Sequence, residues 1–412
     1  MRGIQTRSTG DVDDPRVLFV LDLAKALHAY GMPAHRLDTM LAVMGERLDL
    51  PVHVFTTPTV IIAAFGDPPD QRTYMVTPEQ GEVDLGRLAA LDELVQDVAE
   101  GRLTPAEGSR GVFEVLREPP RYPRSARLAG HAMLAFTVSF LLGGRLVDAA
   151  LAAAVGLAVG VLEWLSAKSD PLTRLMLPAG AFLAAAMAAL GTLVEPTLAT
   201  SVVGIAGIIL LFPGLTLTVA MTEIASGHLV SGTARLSKAV IAFLLLGFGA
   251  ALGGELAGLV PGVTAGVAET DQPAAWVSWA AIAASIPTLL VLLEARIQDI
   301  GWIASAVLLA YAAGHAGTEL AGAEMGAGVA TLALGVAGNA FARFRNRPAA
   351  LLITPGILLL VPGSLGFRSV ISFVDENLLV ALSSAFDVAL IAIALVSGLL
   401  VANLALPPRK AL

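Results

Sequence analysis

Two hydrophobic rhythms divide the chain. From Arg16 to Leu48 the apolar residues Val17, Leu21, Leu27, Leu37, Leu41, Val43 and Met44 recur mostly at helical spacing, with Asp22, Lys25, Arg36 and Asp38 between them. Gly31-Met32-Pro33 interrupts that pattern, so two amphipathic helices are predicted. The β-branched run PVHVFTTPTVIIAAFGD and Thr73-Tyr74-Met75-Val76 predict a small sheet of two or three strands. Asp84–Glu100 and Thr104–Leu116 read as two further helices, the second with Thr104 as N-cap, Pro105 at N1 and Glu107 at N3. Beyond Arg127 the rhythm changes to nearly unbroken apolar blocks, at 128–144, 147–165, 175–194, 197–220, 237–260, 274–293, 300–317, 325–342, 349–370 and 378–404. Each approaches the roughly 20 residues that cross a bilayer.

The expected fold class is therefore an α-helical polytopic membrane protein of about ten transmembrane helices, preceded by a small soluble α+β domain. The boundaries expected are a disordered tail at 1–15, the α+β domain at 16–127, a first five-helix half at 128–260, a linker at 261–273 and a second half at 274–412. The polar start MRGIQTRSTGDVDDP has no apolar core and does not read as a signal peptide.

Loop charge gives an orientation. If the N-terminal domain is cytoplasmic, that side carries Lys168, Arg174, Arg235, Lys238, Arg296, Arg343, Arg345, Arg347, Arg409 and Lys410, against Arg145 and Arg368 on the other. Positive residues collect on the cytoplasmic side, so both termini are expected there, with the 261–273 linker periplasmic and the chain in a bacterial inner membrane. Composition agrees: the chain is 56% hydrophobic and 15% charged, and residues 1–127 hold 14 of its 26 Lys+Arg and 19 of its 34 Asp+Glu. A net charge of -8 gives no reason to expect nucleic acid, and the absence of cysteine excludes thiolate chemistry and disulfides. No cofactor or metal is expected: His28, His35 and His53, scattered among Asp22, Asp38 and Asp49, match no ligand or triad spacing.

Two segments echo each other at a constant offset. Gly207–Gly214 reads GIILLFPG and Gly356–Gly363 reads GILLLVPG, at equivalent places in the two five-helix sets. An odd number of spans per half forces opposite orientations, so the repeat is expected to be inverted, a plan common among secondary transporters. Pro213 and Pro362 lack an N–H and must kink or break their helices. The half-helix beginning at each of Gly214 and Gly363 then offers free N–H groups and a positive dipole end, suited to a carboxylate. Thr216, Thr218 and Ser364 lie close enough in sequence to add hydroxyls.

These segments resemble the threonine/serine exporter family. The first signature is similar to FPGLTLTVAMTEIASGHLVSGTARL, with Pro213-Gly214, Glu223, Gly227, Gly232 and Arg235; the second to TPGILLLVPGS, with Pro355-Gly356, Pro362-Gly363 and Ser364. The family more often has Asp at the position of Glu223 and often Tyr at that of Phe367. The resemblance implies export of threonine and serine, driven by the proton-motive force, with a small amino acid, protons and the lipid bilayer as partners; a homo-oligomer is left open. Split relatives imply an alternative, a dicarboxylate such as succinate, which would require cationic groups at the site. An embedded hydrolase is a third class, for which no catalytic constellation is visible. Among intramembrane polar groups, Asp387 reads as a proton carrier or half of a structural pair. Glu223 reads as a substrate-binding or proton-coupling group, or as a partner of Arg235. Glu163 and Glu255 read as solvated groups near span ends, His131 as a hydrogen-bonded interior histidine or a proton relay, Arg145 and Asp148 as a local pair, and Asn339 as an interhelical hydrogen-bonding group.

Overall fold

A computed structural model describes residues 14–78, 81, 83–264, 274–360, 363, 366–367, 369–370 and 378–408. Residues 1–13 of the expected tail, most of the 261–273 linker, Pro362, Ser364, Arg368, Arg409 and Lys410 lie outside the described residues, while Pro15, expected in the tail, begins a helix.

Helices α1 (Pro15–Ala29) and α2 (Ala34–Arg47) are separated by a corner in which Gly31 adopts φ 85°. That left-handed conformation lets Met32 N–H return to the Leu27 carbonyl at 3.1 Å and closes the end of α1. Strands β1 (Val52–Thr56), β2 (Ile61–Phe65) and β3 (Arg72–Val76) form an antiparallel meander. Helix α3 (Leu85–Ala99) is capped by Asp84, and α4 (Pro105–Arg117) by a reciprocal Thr104/Glu107 capping box. Phe19, Leu23, Leu27, Leu37, Leu41, Met44, Ile61, Leu85 and Leu91 are fully buried and hold this N-terminal unit together.

The remaining helices are α5 (Arg124–Leu141), α6 (Leu146–Ser166), α7 (Asp170–Gly191), α8 (Thr200–Gly207), α9 (Gly214–Ala225), α10 (Leu229–Gly258), α11 (Ala275–Leu292), α12 (Ile300–Ala321), α13 (Ala323–Arg345), α14 (Ala350–Leu360) and α15 (Leu378–Ala405). Among the described residues seven helices are long and apolar enough to cross a membrane, or eight if the bent pair of α8 and the segment Ile209–Ala225 counts as one span. Two expected spans fall short of that test. Helix α5 carries Arg124 and Arg127 in its first turn, and the described part of α14 has 11 residues. Outward-facing Leu157, Val240, Ile241, Leu244, Phe248, Leu252 and Phe386 remain exposed, an apolar exterior that only lipid satisfies. The protein is a polytopic helical membrane protein.

Small residues allow close helix contact. A Cβ built on Gly249 or Gly253 of α10 would sit 2.1 Å from the Pro178 carbonyl oxygen or 2.3 Å from that of Phe182, both on α7. Buried polar groups tie loops to helices. Asp148 accepts from Arg145 N–H and Ala199 N–H and pairs with the Arg145 guanidinium. Arg347 forms a two-oxygen pair with fully buried Asp299. Glu163, expected to be solvated, keeps a 36% exposed side chain and also faces His131 at 3.4 Å.

The N-terminal unit does not stand apart from the helical bundle. Its core is continuous with Leu289, Leu293, Ile303 and Ile357 of the second half. Leu85 N–H donates to the Leu293 carbonyl (2.9 Å), Arg121 N–H to Glu294 Oε2 (2.8 Å) and the Tyr122 hydroxyl to the Ala295 carbonyl (2.7 Å). Arg296 pairs with Glu93, and Gln96 Nε2 reaches the Asn346 carbonyl at 3.1 Å.

Candidate functional site: a broken helix and the cavity beside it

The chain bends by 55° between α8 and the segment Ile209–Ala225, where a short 3-10 turn, Ile209–Leu211, precedes Pro213. The break follows from Pro213, which caps α9 with no side chain satisfying its first-turn amides. The second copy of the motif behaves differently where it is described. Helix α8 stops at Gly207, whereas α14 runs through the equivalent Gly356 to Leu360. The two motifs nevertheless meet. A Cβ on Gly363 would lie 2.8 Å from Phe212 Cβ, and the Phe212 ring sits 5.2 Å from the buried Phe367 ring and 6.5 Å from Phe243.

Immediately after Gly214, helix α9 borders a partly open cavity of about 320 Å³ between the N-terminal unit and the bundle. From α9 come Leu215, Thr218 and Thr222; from α13, Asn339; from α14, Ile353 and Thr354; from α15, Leu399 and Asn403. The N-terminal unit closes the other side with the α1–α2 corner (Tyr30 to Pro33), with His35, Arg36 and Thr39 of α2, and with Leu88 and Asp92 of α3.

The polar groups of this wall are specific. Thr218 Oγ1 donates to the Gly214 carbonyl (3.2 Å) and Thr222 Oγ1 to the Thr218 carbonyl (2.8 Å), so each oxygen keeps acceptor capacity. Asn339 is fully buried; its Nδ2 donates to Asn403 Oδ1 (2.9 Å) and the Leu406 carbonyl (2.7 Å), while its Oδ1 has no partner. Asp92, also buried, accepts from Gln96 Nε2 at 2.8 Å. Arg36 has no hydrogen bond or ion pair among the described residues. Burial alone holds its guanidinium pKa below the ordinary value.

The sequence-derived candidates distribute unevenly over this arrangement. Pro213 and Gly214 form the break, Thr216 is half-buried in the first turn of α9, and Thr218 lines the cavity. Glu223 lies deeper, fully buried and away from the cavity wall. Its Oε1 accepts from Ala34 N–H (2.9 Å) at the start of α2, and its Oε2 lies 3.1 Å from Arg235 Nε. Beside it, His228 Nε2 approaches Asp38 Oδ2 at 3.5 Å and the His35 and His228 rings are 6.0 Å apart. Asp387 is half-buried on α15, twelve residues before Leu399, and thus about 18 Å along the helix from the cavity. Arg36, Asp92, Thr222 and Asn403 were not singled out from sequence as site residues. The only signal for Arg36 is a cation on an amphipathic helix, which a solvated face explains equally well.

Two family models account for most of the chain. One, described as "Putative threonine/serine exporter", matches residues 18–257, and a second, "Threonine/Serine exporter, ThrE", matches residues 276–405. The chain belongs to the threonine/serine exporter family. The first match spans the N-terminal unit and the first half, and the second begins with α11, so both walls of the cavity fall within the matched regions. Curated relatives are fungal. The chain is 24% identical over 377 residues to an uncharacterised protein of Schizosaccharomyces pombe, covering 87% of this chain and 48% of that one. It is similar to Pheromone-regulated membrane protein 10 of Saccharomyces cerevisiae (25% identical, 85% of this chain, 46% of that one) and of Eremothecium gossypii (24%, 85% and 48%). The chain spans about half the length of these relatives. No solved structure matches it.

Proposed function

We infer that this chain is a secondary exporter of small hydroxy amino acids, threonine and serine, driven by the proton-motive force. The observation that carries the reading is the cavity beside the broken helix. Its volume, about 320 Å³, lies at the small end of the range of about 300–1,000 Å³ in which ligand pockets fall. Its wall combines threonine hydroxyls, an unsatisfied amide oxygen and one half-buried cation with no carboxylate partner among the described residues. A hydroxy amino acid presents the complementary groups. Contact between Gly363 and Phe212 supports a transport pathway built from both halves, as an inverted repeat of about ten spans requires. The ten-to-two bias of Lys and Arg supports a cytoplasmic N-terminal unit at 16–127, with the halves at 128–260 and 274–412 in a bacterial inner membrane. Gly363, with Pro362 and Ser364, belongs to the proposed second half-helix.

In this reading Asp387 is the proton carrier, acting from a distance through movement of α15 rather than by touching substrate. A dicarboxylate such as succinate is the second reading, favoured by Arg36, which supplies the cation that the membrane segments lack. The test is counterflow in proteoliposomes with threonine, serine and succinate under an imposed pH gradient. Threonine and serine should exchange, and Asp387→Asn should keep counterflow while losing its response to the gradient. Wild-type acceleration by the gradient in Asp387→Asn would remove the coupling assignment. Exchange of succinate alone would remove the substrate assignment.

A further inference from the structure

We propose that Arg36 is the carboxylate-binding residue of the cavity, so that the N-terminal unit supplies part of the substrate site and does not merely cover it. The inference rests on the exporter reading above and gives it a specific recognition chemistry. It begins from a contrast among the arginines. Among the described arginines that are not exposed, Arg16, Arg87, Arg235, Arg296 and Arg347 lie within 4 Å of a carboxylate, whereas Arg36 and Arg127 do not, and of those two Arg36 alone lines the cavity. Arg36 faces the cavity with no carboxylate partner among the described residues. A guanidinium on a cavity wall without a carboxylate partner keeps its N–H donors available to a ligand. The planar fork of a guanidinium donates two parallel N–H bonds to a carboxylate, a geometry an ammonium cannot reproduce.

A second observation points into the same space. Both Nδ2 donors of Asn339 are used within the protein, which fixes the amide orientation and leaves the buried Oδ1 free as an acceptor. Asp92 adds a carboxylate to the opposite charge class on the same wall. A cation, an anion and a neutral acceptor around one cavity match a zwitterion with an added hydroxyl. A dicarboxylate would set its second charge against Asp92. The ligand class assigned to the site is therefore a small α-amino acid, its carboxylate on Arg36, with its ammonium and hydroxyl shared among Asp92, Asn339, Thr218 and Thr222.

Calorimetric binding to the purified full chain in nanodiscs tests this with L-threonine, L-threonine amide and succinate. Threonine amide, which lacks the carboxylate, should bind at least tenfold more weakly than threonine to the wild type. Arg36→Gln should lose at least tenfold for threonine and leave the amide unchanged, and Arg36→Lys should recover part of the loss. Asp92→Asn should weaken threonine and strengthen succinate. Melting temperature of each variant without ligand separates a folding defect from a binding one; Arg36→Lys retains the cation if Arg36→Gln proves unstable. Threonine affinity unchanged in a folded Arg36→Gln protein overturns the inference and leaves the exporter reading intact. Succinate binding that depends on Arg36, with no threonine binding, overturns the hydroxy amino acid reading and keeps Arg36 as the carboxylate ligand.

Discussion

Replacing Glu223 by alanine removes a carboxylate that serves two partners at once. Its Oε1 accepts from Ala34 N–H at the first turn of α2, where Pro33 provides no side-chain cap, and its Oε2 faces Arg235, whose side chain is only 17% exposed. Removal leaves an enclosed guanidinium unpaired, a loss of about 3–5 kcal/mol when one member of a buried pair is deleted. The stranded amide costs about 1–3 kcal/mol on its own scale, but the two effects share one residue and do not add. A net cost of about 4 kcal/mol corresponds to roughly a thousandfold shift toward the undocked arrangement. Because the contact joins α9 to α2, the cost falls on docking and not on the core of either part. Hydrogen exchange of the nanodisc-embedded protein reads it directly. The peptide covering Ala34–Leu41 should exchange about a thousandfold faster in Glu223→Ala, while Phe19–Leu27, buried within α1, should not change. Glu223→Gln keeps an acceptor for Ala34 and should show a shift smaller by about one to two decades. A double change with Arg235→Ala should recover part of the loss, because the deletion penalty includes the stranded cation. Exchange of Ala34–Leu41 within twofold of wild type in Glu223→Ala would refute this account of the pin.

Two further predictions concern the same corner and the helix contact behind it. Burial, with the charges of Arg36 and His228 as smaller causes, lowers the His35 pKa from 6.5 to about 4. The folded protein therefore keeps His35 neutral while the unfolded chain takes up a proton, so stability present above pH 6.5 is lost as pH falls toward about 4, by at most about 3 kcal/mol. Arg36, Asp38, His228, Glu223 and Arg235 surround the site, and Asp38, whose carboxyl is raised by burial, opposes the trend at the acid end. Melting temperature between pH 7.5 and 4.5 should fall less steeply in His35→Asn than in the wild type; identical slopes would exclude His35. On α10, Gly253→Ala should cost about 1–3 kcal/mol by overpacking against the Phe182 carbonyl. Gly254→Ala, whose added carbon meets nothing within 4 Å, should melt like the wild type, and equal melting of both variants would contradict the α7–α10 packing.

What could be read from sequence was what is encoded locally. The 3.6-residue apolar rhythm around Leu21, Leu37 and Leu41, the Gly31 corner and the Thr104/Glu107 box each specify backbone within a few residues, and the corresponding helices and caps are present. Pro213 likewise announces its break by its own chemistry. The pairing of Glu223 with Arg235 was within reach as well, since a single turn between two helices brings them together. The cavity was not legible, because its walls come from segments far apart in the chain: Ala34 meets Glu223 across 189 residues and Gln96 meets Asn346 across 250. Periodicity reports which side of a helix is polar but not what stands opposite. Arg36 therefore looked like one charge on a wet face, and the fit of Gly363 against Phe212 was visible only as a repeated motif.

The long reach of the N-terminal unit has a consequence for synthesis. Gln96 is made 250 residues before its partner Asn346, which at about 5–20 residues per second is an interval of roughly 12–50 s. During that interval the unit can complete its own core, yet the surface bearing Leu85, Glu93 and Gln96 has no segment of its own chain to rest on. The growing polypeptide thus carries an assembled but uncovered face while eight apolar blocks are still being made. Closure of that face waits on the second half, and a chain arrested before Leu293 would never reach it.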